Sequence, residues 1–84
     1  MGATKPNHEL TTMQLDILQY HKAYSERFGA PPPLRTMARH FQVYPNTIRY
    51  HLRVLTAGGY LLEKEPRPVT ARFVISAKGR RTAG

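Results

Sequence analysis

An α+β fold, three helices followed by a two-stranded β-hairpin, is what the sequence predicts, and three observations predict it. A capping box opens an apolar stripe of helical period over residues 11–28. Two short amphipathic segments, 34–41 and 45–57, then flank a turn of only three residues, Gln42, Val43 and Tyr44. After Gly58 and Gly59 the period shortens to that of extended chain, and a proline-bearing loop separates two apolar runs. Eighty-four residues make one small domain, too short for a large buried active site. A domain of this size buries only roughly 60% of its unfolded surface, so its stability margin is thin.

The elements follow in order. Residues 1–10 mix Gly, Pro, Asn and Thr without an apolar period and read as a flexible N-terminal segment anchored by Leu10. In the capping box the Thr11 hydroxyl accepts from the Gln14 amide while the Gln14 side chain reaches back. Ile17, Tyr20, Tyr24 and Phe28, with Leu18 beside them, form the stripe expected to face the core, and Gly29 stops the helix. Pro31, Pro32 and Pro33 forbid continuation and impose an extended connector. The second helix places Leu34, Met37, Ala38 and Phe41 on one face and Arg35 and Arg39 on the other.

Pro45 suits the first position of helix 3, where its missing N–H costs nothing, although Tyr44 before it is a poor cap. Tyr60–Glu65 and Ala71–Ile75 read as paired strands. Pro66 and Pro68 cannot join the ladder and hold Arg67 out at the hairpin tip. The domain is expected to span 11–76, leaving 77–84 as a mobile basic tail.

Charge is strongly segregated. Up to Gly29, Lys5, Lys22 and Arg27 balance Glu9, Asp16 and Glu26. Beyond it, ten cations face only Glu63 and Glu65, which accounts for the whole net charge of +8. Such an excess calls for a polyanionic partner that meets the later elements.

Helix 3 shows how. At about 100° per residue, Ile48, Leu52 and Leu55 cluster on the inward side. Asn46, Arg49, Tyr50 and Arg53 fall opposite, with Thr47 flanking them. These side chains suit a DNA major groove: Arg pairs bidentately with guanine, Asn with adenine, and Thr or Tyr bonds a phosphate or touches a thymine methyl. Arg35 joins them from the second helix. Arg67, stiffened by its flanking prolines, is placed to enter a minor groove. Lys64, Arg72, Lys78, Arg80 and Arg81 are expected phosphate contacts that position the protein without specifying sequence.

The order helix, helix, turn, helix, hairpin resembles a winged helix-turn-helix, and particular strings resemble the DNA-binding domain of the LexA repressor family. Leu10, Thr11, Thr12, Met13, Gln14 is similar to that family's opening LTxxQ, and Gly29, Ala30, Pro31, Pro32 to its GxPP link. Val43 to Leu52 resembles the VSxxTVxxxL pattern of bacterial winged-helix regulators such as the GntR group, with Tyr44 where Ser usually caps the helix. The resemblance implies double-stranded DNA binding, helix 3 in the major groove and the wing at the adjacent minor groove or backbone. LexA-type repressors also carry a self-cleaving domain with a Ser and Lys pair. Autocleavage is not expected of these 84 residues.

Other chemistries find little support. Zero cysteines exclude disulfides, thiol nucleophiles and cysteine-ligated zinc. His8, His21, His40 and His51 contain no pair at metal-ligand spacing, and His51 reads as a partly buried packing residue with a phosphate contact as its rival. Scattered carboxylates and the lack of a phosphate-cradling glycine loop make the chain a non-enzyme that needs no cofactor. Without a membrane-length apolar run or a signal-peptide pattern, it reads as cytoplasmic, with no membrane partner.

The function expected is sequence-specific DNA binding by a small prokaryotic or phage-type transcriptional regulator. The alternative is a protein-interaction module docking its basic face on an acidic partner. A membrane-surface or nonspecific RNA binder is weaker still, for want of a long basic amphipathic helix or an exposed stacking platform. One recognition helix covers a half-site, so useful specificity calls for a homodimer or tandem sites.

Overall fold

A computed structural model describes residues 10–63 and 73–84. Three helices, α1 (Thr12–Phe28), α2 (Leu34–Phe41) and α3 (Pro45–Ala57), are followed by strands β1 (Leu61–Glu63) and β2 (Phe73–Ile75) and a fourth helix, α4 (Ala77–Ala83). The strands pair antiparallel, Leu61 opposite Ile75 and Glu63 opposite Phe73. No described helix is long and apolar enough to cross a membrane.

The capping box at α1 forms in full. Gln14 N donates to Thr11 Oγ1 at 3.0 Å, and Thr11 N donates to Gln14 Oε1 at 3.1 Å. Gly29 ends the helix at φ 75°, a left-handed conformation that glycine adopts without strain. Pro33 precedes α2 and Pro45 opens α3, whose entry has no side-chain cap at Tyr44. The turn between them is closed by Val43 N donating to Ala38 O at 3.0 Å, and it forces Gln42 to φ 58°.

Ile17 and Leu18 of α1, Met37 and Ala38 of α2, and Ile48, Leu52 and Leu55 of α3 make the core, with Tyr60 and Leu61 closing it from the hairpin. The line that α1 turns inward is Gln14, Ile17, Leu18 and His21. This corrects the expected aromatic stripe: Tyr20 and Tyr24 are half-buried and Phe28 is 59% exposed. The aromatic rings climb the rim of the core, where Tyr20 stacks on His40 at 4.3 Å and Tyr24 meets Phe28 at 4.5 Å.

The expected basic tail is likewise corrected, because residues 77–83 fold as α4 and pack on α1 and β2. Ser76 is the reason. Its Oγ accepts from Gly79 N at 3.0 Å to cap the helix and faces the carbonyls of Gly59 and Tyr60 at 2.6 and 3.0 Å. Gly79 then sits so close to Tyr60 O that a Cβ would clash with that carbonyl. Lys78 completes the seam, its Nζ donating to Gly58 O at 2.7 Å and lying 4.5 Å from the centre of the Tyr60 ring.

Candidate nucleic-acid interface

Burial of Ile48, Leu52 and Leu55 fixes the rotation of α3, and the opposite face is determined by helical geometry. Asn46, Arg49, Tyr50 and Arg53 are all exposed on it, Tyr50 at 61%, and Thr47 is half-buried at its flank. Tyr44 stands 83% exposed just before the helix. Arg35 is exposed in the first turn of α2. The structure therefore presents the expected α3 residues together on one helix face. Among the described residues, the salt bridges are those that Glu26 makes with Lys22 and Arg80, so no described carboxylate pairs with Arg49 or Arg53.

The cations of α4 belong to a different part of the surface. Lys78 is folded back onto the C-terminal end of α3, twelve residues beyond Asn46, or about 18 Å along the helix axis. Arg80 lies 3.8 Å from Glu26 in the last turns of α1, and Arg81 is exposed on the same short helix. Lys64, Arg67 and Arg72, the expected wing contacts, lie outside the described residues.

Two histidines frame the site in ways the residue pattern concealed. His51 Nδ1 is 3.0 Å from Gln14 Nε2, a bond joining the start of α1 to the middle of α3. Partial burial holds its pKa below the ordinary 6.5. The Tyr50 ring meets the His51 ring nearly edge-on, 5.2 Å between centres. His21, facing the core from α1, is 1% exposed, and its Nδ1 has no hydrogen-bond partner among the described residues. Burial lowers its pKa too, partly offset by the backbone of Phe73. Spacing hinted at both: His21 falls four residues after Ile17, and His51 lies between the two faces of α3.

Two helices across a three-residue turn, a third packed beneath them and a hairpin after them define a winged helix-turn-helix protein. A sequence model of the LexA DNA binding domain matches residues 7–70, and the chain belongs to that family. It is similar to the LexA repressor of Thermotoga neapolitana, 33% identical over 72 residues, covering 86% of this chain and 36% of that protein. It is also similar to LexA repressor 2 of Geobacter sulfurreducens, 38% identical over 58 residues, covering 68% of this chain and 28% of the relative. The LexA repressor of Pseudothermotoga lettingae is 40% identical over 53 residues, 63% of this chain and 26% of the other. The matched part of this chain thus spans between about a quarter and a little over a third of the length of these repressors.

Proposed function

We propose that the protein is a sequence-specific double-stranded DNA binder that regulates transcription by occupying an operator, without catalysis, in the cytoplasm. The observation that carries this reading is the outward face of α3: Asn46, Arg49, Tyr50 and Arg53, exposed together on the second helix of a helix-turn-helix. A helix of this kind enters the major groove. There the Arg49 and Arg53 guanidiniums and the Asn46 amide match the hydrogen-bonding edges of guanine and adenine. Family membership and the net charge of +8 support the same partner.

Within this reading Thr47 and Arg35 hold the backbone beside the groove. Lys64, Arg67 and Arg72 supply the wing contacts, and Arg80 and Arg81 add long-range attraction. Lys78 takes a structural role at the α4 seam, because its ammonium is engaged by Gly58 O and the Tyr60 ring. One α3 reads a half-site, so the operator would be read by two copies, as a dimer or side by side.

Selection from a random duplex library at near-physiological salt tests the proposal. An enriched motif is expected, and Arg49→Ala should relax the preference at one base position, at a cost of about 1–3 kcal/mol there. Equal weakening on every sequence would remove Arg49 from base reading. Absence of duplex binding even at low salt would sink the proposal and turn attention to an acidic protein surface.

A further inference from the structure

The side-chain amide of Gln14 is committed at both ends. Its Oε1 accepts from Thr11 N at 3.1 Å, so its nitrogen faces His51 Nδ1 at 3.0 Å. The opposite orientation would set the amide NH2 against the Thr11 N–H, donor against donor, so the network assigns the orientation. At 4% exposure, Gln14 has little water to turn towards. An amide nitrogen only donates, so His51 Nδ1 must accept and carry no proton. The single proton of the neutral ring is thereby held on Nε2. Partial burial reinforces the neutral form.

The ring's place on the helix says what that proton is for. His51 is half-buried on the flank of α3, between the inward residues and the exposed Tyr50, whose ring rests edge-on against it. Among the described residues its hydrogen bonding uses Nδ1 alone. A helix lying in a major groove has base edges beneath its centre and phosphates along its flanks. A donor at the flank therefore meets the DNA backbone.

We infer that His51 is a backbone contact in the DNA complex, its Nε2–H donating to a phosphate oxygen, and that Gln14 is the positioning residue that fixes both the tautomer and the ring. The inference rests on the DNA-binding reading of α3. Because the imidazole is neutral, the contact releases no counterion and adds affinity without steepening the salt dependence.

Two measurements on the full chain test it. In the free protein at neutral pH, long-range proton–nitrogen correlation of the His51 ring should show the Nε2–H tautomer; a proton residing on Nδ1 would overturn the inference at once. Binding to a mixed-sequence duplex of about two helical turns is then measured across a salt series, with the fold of each variant confirmed by thermal melting. His51→Asn keeps an acceptor towards Gln14 but nothing at the Nε2 position, and should bind about tenfold more weakly at every salt concentration with an unchanged slope. His51→Gln retains a donor near that position and should recover most of the loss.

Wild-type affinity in His51→Asn, or equal weakness in both variants, would overturn the phosphate contact while leaving the DNA-binding reading intact. Failure of the wild type to bind any duplex would overturn that reading and this inference together.

Discussion

Gln14 and His51, 37 positions apart, share a 3.0 Å hydrogen bond, and through it the cap of α1 and the flank of α3 become one structure. The same amide closes the capping box on Thr11. Local helix initiation and the long-range placement of α3 therefore depend on a single buried side chain. The placement of α3 against the rest of the domain thus rests on a polar bond as well as on Ile48, Leu52 and Leu55.

Gln14→Leu should consequently be more damaging than loss of a cap. It strands the Thr11 N–H and the His51 Nδ1 together, for an expected loss of about 1–3 kcal/mol in urea unfolding. Thr11→Ala should lose about 1 kcal/mol, the usual size of a cap. Since both belong to one network, the double variant should lose less than the two losses combined. Strict additivity would show that the cap and the tertiary bond act independently.

Gln42 occupies the left-handed region at φ 58°, which an L side chain enters at a steric cost. The tight turn between α2 and α3 requires that conformation whatever residue stands there. Gln42→Gly should therefore raise stability by about 0.5–1 kcal/mol, seen as a higher melting temperature, with the duplex affinity of the folded protein unchanged. A lower melting temperature would mean that the Gln42 side chain contributes more than the strain it carries.

The α4 seam separates structural cations from those proposed to meet DNA. Gly79→Ala would drive a methyl into Tyr60 O, which is backbone and cannot swing aside, so the helix must shift, at about 1–3 kcal/mol. Lys78→Met removes the bond to Gly58 O and the contact with the Tyr60 ring, and should lose about 1 kcal/mol. Its duplex binding should retain the wild-type salt slope, whereas Arg35→Ala should flatten that slope by about 0.9 for a lost phosphate neutralisation. A flattened slope in Lys78→Met would return Lys78 to the DNA-facing set.

Much of this architecture was legible because its signals are local. The capping box at Thr11, the prolines at 31–33 and 45, and the Gly29 stop each act within a few residues, and all three helices they delimit stand where periodicity set them. The outward face of α3 followed from the inward one by geometry alone. What periodicity hid was tertiary. In α1 a polar Gln14 and His21 sit on the buried line, so an apolar count favoured the aromatic residues four apart, of which Phe28 proves exposed. In α4, one glycine, two alanines and four charged or polar residues offer no apolar stripe. That helix exists because Ser76 and Gly79 dock on the Gly59–Tyr60 backbone, a contact with no local signature.

His21 leaves a trace in the pH dependence of stability. Its folded pKa lies below the ordinary 6.5 because burial penalises the charged form. Above 6.5 both folded and unfolded rings are neutral, and the native state keeps its full stability. As pH falls through 6.5 the unfolded ring takes up a proton that the buried ring refuses, and stability drops until the folded pKa is reached. His51, shifted in the same direction, adds to the fall. Each proton contributes at most about 1.4 kcal/mol per pH unit. Melting temperature should accordingly decline between about pH 7 and pH 5, before the carboxylates titrate appreciably. In His21→Leu the decline should become shallower, because the apolar side chain has no proton to refuse and leaves no unpartnered Nδ1 in the core. An identical pH profile in the variant would mean that the His21 ring takes up its proton as readily in the folded chain as in the unfolded one.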